Sequence, residues 1–220
     1  MDWTRTIDAY CERTDASYWS EPVNAVTNAA FLIAAFVMWR RVRGQGLPLA
    51  MAMVAILAII GVGSYLFHTH ATVWASTADV VPIALFILLY VFASNLHFWQ
   101  MPLWLAVIGA IAFLPYAIVL TPVFQRLPFF EISAVYWPVP LLIAAVAAGL
   151  ARRAPATARG LWIGAAILVV SLTFRSLDGA VCETFPLGTH FMWHILNGVM
   201  LGWMIEVYRR HRLAEQGGGR

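Results

Sequence analysis

Long apolar runs, separated by short polar or Gly- and Pro-rich breaks, dominate the chain. The breaks read RRVRGQGLP, HTHATVWAST, HFWQMP, TPVFQRLPFFE, ARRAPATARG and RSLDGAVCETFPLGT. Seven apolar segments stand between and around them, at roughly 23–39, 48–68, 79–95, 101–120, 134–151, 160–176 and 190–208. A helix needs about 20 mainly apolar residues to cross a bilayer. Strands in lipid would have to alternate in polarity and close into a barrel, and no such alternation is present. The pattern predicts an all-α, polytopic membrane protein: a seven-transmembrane helical bundle with short loops. Residues 1–22 form an outer amino-terminal segment, 23–208 the membrane domain, and 209–220 a tail, RRHRLAEQGGGR, whose composition predicts disorder. Pro82 and Pro102 are expected near helix starts, where a missing donor costs least.

Composition agrees with the pattern. Of 220 residues, 61% are hydrophobic and 11% charged, against about 25% charged in an ordinary soluble domain. All 14 basic residues are Arg, so orientation rests on where they fall. Arg40, Arg41, Arg43, Arg152, Arg153, Arg159, Arg209, Arg210, Arg212 and Arg220 follow segments one, five and seven, which share a face; that face is expected to be cytoplasmic, with the amino terminus outside. Asp2, Asp8, Glu12, Asp15, Glu21, Asp79, Glu131, Asp178 and Glu183 fall at the outer face. A net charge of +3 is then a topology signal and gives no reason to invoke nucleic acid. No cleavable leader is read in the polar, acidic start, and no obligate protein partner is evident. The short loops and exclusive use of Arg suit a bacterial inner-membrane protein. A retinal pump is excluded, because its Schiff base needs a Lys.

Ser64 and His68 are spaced i, i+4 at the outer end of the second segment, so they share a helix face. His190 and His194 repeat the spacing at the outer end of the seventh. Asp79 is expected to begin the third helix at the same depth. Three neutral imidazoles hold zinc with one coordination position open, and two of them on adjacent turns of one helix is a workable geometry. Zinc lowers the pKa of water to about 7. Asp79 is the candidate proton shuttle, and Ser64 the candidate hydrogen-bond donor to an oxyanion.

Plainer roles exist for each residue. Asp79, after Ser76 and Thr77, could cap a helix; Ser64 could be a small packing residue; a lone membrane histidine is usually a hydrogen-bonded interface residue. The chain has six histidines, and three fall where one site needs them. His97 and His211 belong to the inner face, and His70 points away from His68 unless the helix ends there, leaving it a reserve ligand. Cys11 and Cys182 both lie on the outer side, where a bridge or two free thiols are open alternatives.

This pattern resembles the alkaline ceramidases and the wider seven-helix membrane hydrolase superfamily that includes the adiponectin receptors. The matching residues are S-x3-H with a following D at Ser64, His68 and Asp79, and H-x3-H at His190 and His194. YCE near the amino terminus, EPVNAVTN at the first helix, and R-x2-D-x3-C at Arg175, Asp178 and Cys182 support it. The resemblance implies a zinc amidase acting on the N-acyl bond of a ceramide-like membrane lipid, with zinc on His68, His190 and His194. It also implies a disulfide between Cys11 and Cys182, and calcium bound by an amino-terminal acidic cluster, here Asp8, Glu12 and Glu21 with Asp15 and carbonyls in support. The chain departs from the family motif there: Ala9 stands where an Asp belongs, Asp8 is one place off, and Tyr10 and Thr14 occupy the aromatic and Asn positions. The alternatives in function are an ester-lipid hydrolase of the same superfamily and a non-catalytic seven-helix receptor with structural zinc.

Overall fold

The computed structural model describes residues 2–218, and among them it is helical with no strand beyond one isolated bridge. The helices are α1 (Pro22–Thr27), α2 (Ala29–Val42), α3 (Pro48–His70), α4 (Val73–Ala93), α5 (Leu103–Gln125), α6 (Pro138–Leu150), α7 (Pro155–Val181) and α8 (His190–Gly218). α1 and α2 run on from one another across Asn28 and together form the first span. Five spans, including that one, α3, α4, α5 and α7, are long and apolar enough to cross a membrane. Every expected segment is helical, so the chain is an all-α membrane bundle.

Neighbouring helices pack in pairs, α3 on α4, α7 on α8, and α2 against both α3 and α8. Phe31, Met53, Leu57, Ile60, Leu172 and Ile205 are fully buried between them. The outer surface is equally apolar: Ile118 and Val119 on α5 are 70% and 68% exposed. In water such a face would be a liability, whereas lipid tails cover it at no cost in backbone polar groups.

The third segment differs from expectation in a way that matters. α4 begins at Val73, so Asp79 lies in its second turn, neither opening nor capping the helix. The connection after α3 is a tight turn, closed by Ala71 in the left-handed region at φ 45° and by Thr72 in extended backbone. Two of the threonines that suggested a loop are satisfied within their helices: the Thr69 hydroxyl donates to the Tyr65 carbonyl and the Thr77 hydroxyl to the Val73 carbonyl, both at 2.9 Å. Pro82 is consequently interior to α4. It has no N–H for the Ala78 carbonyl four residues back, and that carbonyl turns to α3 at Gly63. A Cβ on Gly63 would sit 2.1 Å from the Ala78 oxygen and 3.3 Å from Asp79 Cα, so glycine there lets α4 press Asp79 against the α3 face that carries Ser64.

The far end of α8 also departs from expectation. Residues 209–218, read from composition as a disordered tail, continue the helix. Arg209 and Arg210 pair with the buried Glu206, both at 2.7 Å, and Arg212 and His211 pair with Glu215 at 2.5 and 3.4 Å. These are i, i+3 and i, i+4 pairs, which support a helix on its own surface. Arg41 joins Glu206 from α2 at 3.2 Å, so the arginines that follow segments one and seven meet at one end of the bundle.

Gly63→Ala should push α3 and α4 apart, since the contact it would make is with rigid backbone. We expect a loss of about 1–3 kcal/mol, read as a lowered midpoint of thermal unfolding in detergent.

Candidate metal centre

The last turn of α3 and the first two turns of α8 bring His68, His190 and His194 together, all buried, with one nitrogen of each lying within 4.8 Å of the others. Among the described residues this is the group of His, Cys, Asp and Glu side chains with metal-binding spacing. Ring centroids are 4.6 Å apart for His68 and His194 and 4.7 Å for His190 and His194.

Their hydrogen bonds assign the nitrogens. His68 Nδ1 lies 2.6 Å from Glu21 Oε2, so Nδ1–H donates to the carboxylate and Nε2 carries the lone pair. His194 Nδ1 lies 2.9 Å from Thr27 Oγ1. The Thr27 hydroxyl spends its single proton on the Val23 carbonyl at 2.7 Å, so it accepts from His194 Nδ1–H. His194 Nε2 then also carries a lone pair. Both of those Nε2 atoms, and His190 Nδ1, are buried without a hydrogen-bond partner. Buried nitrogens left unpaired are costly, and three histidines drawn this close, each with one such nitrogen, suit a metal ion. Partners that fix the second nitrogen, as Glu21 and Thr27 do, are a regular part of histidine metal sites.

The amino-terminal segment closes over this cluster. It pairs with the α3–α4 turn through Ile7 N–H to the Ala71 carbonyl at 2.7 Å and Val73 N–H to the Arg5 carbonyl at 3.1 Å. Tyr10 stacks on His190 with centroids 3.6 Å apart. Cys11 and Cys182 form a disulfide across 171 residues. Buried Asp178 ties three elements at once: its carboxylate accepts from Cys11 N–H at 3.0 Å, Thr189 N–H at 2.7 Å and His190 N–H at 2.9 Å. Two of those donors are unpaired groups at the start of α8, which a carboxylate stabilises by charge as well. Gly188 makes room for it, at φ 65° and with a Cβ position only 2.1 Å from Asp178 Oδ1.

Asp79 and Ser64 lie beside the histidines. Ser64 hydrogen-bonds the Asp79 carboxylate, and His68 and Arg175 are near enough to act on it through charge. An apolar cavity of about 310 Å³ adjoins this end, bounded by α4, α5, α6, α7 and α8. Its wall includes Ile83, one turn beyond Asp79, Trp193, and Asn197, one turn beyond His194.

The residues expected to bind calcium are arranged otherwise. Both oxygens of Glu12 accept backbone N–H bonds at the start of α1, from Val23 at 2.7 Å and Asn24 at 2.8 Å. Glu21 is taken by His68 and by Arg13, whose Nε lies 2.5 Å from Oε1. Burial pushes the Glu21 carboxyl up, but the bonds to His68 and then Arg13 outweigh it and hold it below the ordinary carboxylate range. Asp8 is exposed, and the three do not form a metal-spaced group among the described residues. His70 is exposed against Trp74 and Tyr18, and His97 and His211 meet Tyr208 and Thr157 at the opposite end. Sequence reasoning missed Arg13, Thr27 and the role of Glu21. The signal for Thr27 lay in EPVNAVTN, where its spacing from Val23 sets one hydroxyl on the first helix toward the site.

An all-helical membrane protein organised around three buried histidines that can hold a metal ion is the class these features define. The chain belongs to the ceramidase family: the family model described as Ceramidase matches residues 3–219, nearly its whole length. Membership implies a hydrolase acting on an amide bond of a lipid. No curated protein matches the chain.

Asp178→Ala would leave three backbone N–H groups unpaired beneath the amino-terminal segment. A hydrogen bond to a charged group is worth about 1.5–3 kcal/mol, so we expect at least about 2 kcal/mol of destabilisation. Thermal unfolding measures it, and faster proteolysis before residue 22 would accompany it.

Proposed function

We propose that the protein is a zinc-dependent hydrolase that cleaves the N-acyl bond of a ceramide or related sphingolipid, releasing a fatty acid and a sphingoid base. The observation that carries this reading is the set of three buried, unpartnered imidazole nitrogens one helical turn from an apolar cavity. His68, His190 and His194 would hold the ion; three neutral nitrogen donors with an open fourth position suit a catalytic zinc. When bound, zinc polarises a carbonyl and lowers the pKa of water to about 7.

The remaining work falls to the chain itself. Asp79 takes a proton from the attacking water as its oxygen bonds to the amide carbon, then gives it to the amide nitrogen as the C–N bond breaks, so the amine leaves neutral. Ser64 O–H donates to the carbonyl oxygen while negative charge gathers there. Arg175, facing Asp79, keeps the site from accumulating uncompensated negative charge. The cavity takes the acyl chain and keeps bulk water from the reacting carbonyl; its volume is at the lower end of the range for small-ligand sites. The clustering of arginines at the opposite end supports an orientation with the amino terminus outside and the carboxyl terminus cytoplasmic, in which the site meets lipid from the outer leaflet.

Two outcomes are expected. Purified protein should carry about one zinc per chain on the three-histidine stoichiometry, and His190→Ala with His194→Ala should abolish it by metal analysis; undiminished zinc in that variant rejects the ligand set. Asp79→Asn should retain zinc and fold but lose at least about 10² in fatty-acid release from an N-acyl sphingoid lipid in micelles, with Ser64→Ala losing somewhat less. Turnover of ester lipids alone would keep the metal chemistry and remove the amide substrate.

A further inference from the structure

A calcium ion does not fit the amino-terminal segment, because a side chain already fills its electrostatic place. Arg13 is 8% exposed, and its guanidinium is directed at three oxygens that a cation would seek. Nε donates to Glu21 Oε1 at 2.5 Å, one terminal nitrogen to the Asp15 carbonyl at 3.1 Å, and the other to the His68 carbonyl at 3.1 Å. The first of these oxygens belongs to the carboxylate that fixes His68 Nδ1. The last belongs to His68 itself, in the final turn of α3, where carbonyls lack helical partners. Glu12 cannot serve a cation in addition, since both its oxygens accept from the start of α1.

We propose that Arg13 is a positioning residue for the metal centre: its guanidinium is the built-in cation that holds Glu21 against His68, so the centre assembles without calcium. The inference rests on the reading that His68, His190 and His194 hold the metal. The chemistry favours a guanidinium for this task. It is always charged, it is more weakly hydrated than an ammonium, and its planar fork reaches a carboxylate and two carbonyls at once. A buried charge must be compensated and hydrogen-bonded; Glu21 supplies the charge and the carbonyls supply the bonds. Arg13 engages Oε1, which leaves Oε2 to accept from His68 Nδ1 at 2.6 Å and from Asn24 Nδ2 at 3.2 Å. The coupling therefore runs from Arg13 through Glu21 to the histidine tautomer that leaves Nε2 free.

The test uses the full-length protein in detergent, with calcium and zinc as the probes. Calorimetric titration of the zinc-loaded wild type with calcium should give no saturable binding, and its thermal midpoint should be the same in a calcium chelator as in millimolar calcium. Saturable calcium binding that raises the midpoint overturns the proposal. Zinc affinity is then measured by chelator competition for wild type, Arg13→Ala and Arg13→Lys. Loss of a group that orients a metal ligand typically weakens affinity about 10- to 100-fold, which is the loss expected for Arg13→Ala. Arg13→Lys should fall between, since it restores charge but not the fork. Unchanged zinc affinity in Arg13→Ala refutes the positioning role. Should Arg13→Ala fail to fold, the lysine variant and the wild-type calcium titration decide the matter. None of these readouts depends on which lipid is hydrolysed. Zinc retained by His190→Ala with His194→Ala would reject the metal-centre reading, whereas intact zinc binding with calcium dependence would reject this inference alone.

Discussion

Three imidazoles buried side by side impose the constraint on which the rest of this structure depends. Burying them together makes accumulated charge costly, because imidazolium ions in contact within a low-dielectric bundle would repel and lack hydration. Each imidazole must also point a lone pair inward, which fixes where its other nitrogen donates. For His68 the acceptor is Glu21 and for His194 it is Thr27, and neither acceptor belongs to the helix that carries its histidine. The chain around the start of the first span is thus as much a part of the site as α3 and α8. That explains the density of ties on an otherwise polar, irregular segment: a bridge to the α3–α4 turn, a disulfide to the end of α7, and three N–H bonds gathered by Asp178. A loose segment would let Glu21 drift and leave His68 free to choose the wrong tautomer.

Legibility of the sequence followed the range of the interactions. The helices were readable because a membrane span is a local property, a run of apolar residues of sufficient length. The histidines were readable because i, i+4 spacing sets two side chains on one face, and an even count of spans between them returns the chain to the same end. Helix boundaries were less so. HTHATVWAST is polar enough to suggest a loop, yet the Thr69 and Thr77 hydroxyls bond to their own helices and the turn itself is confined to Ala71 and Thr72. Similarly, RRHRLAEQGG lacks an apolar face of its own, and its helix rests on ion pairs at i, i+3 and i, i+4 that composition alone does not display. The carboxylates of Glu12 and Glu21 were visible, but their partners were not. Glu21 meets a histidine 47 residues away, and Arg13 drew no reading, because nothing local in the sequence shows its guanidinium turning inward to Glu21 and the His68 carbonyl.

Pro82 shows how a local defect can serve a distant fit. A proline inside a helix removes a hydrogen bond and costs about 3 kcal/mol in an ordinary helix. In α4 the freed carbonyl belongs to Ala78 and faces Gly63, the one residue type that admits backbone so close. The next residue along α4 is Asp79 and the next along α3 is Ser64. The close approach therefore sets the carboxylate beside the hydroxyl, within reach of a hydrogen bond from Ser64.

The same contrast separates Asp79 from the other acids of the bundle. Glu206 is bonded by Arg209 and Arg210, Asp178 by three backbone N–H groups, Glu12 by two, and Glu21 by His68 and Arg13. In each case the oxygens are committed to hydrogen bonds or ion pairs that anchor the chain. Asp79 has a hydroxyl and more distant charges for company, with no backbone N–H or guanidinium bonded to it among the described residues. A carboxylate so placed can accept a proton and release it without disturbing an anchor. That freedom is what the proposed reaction asks of it twice in each cycle.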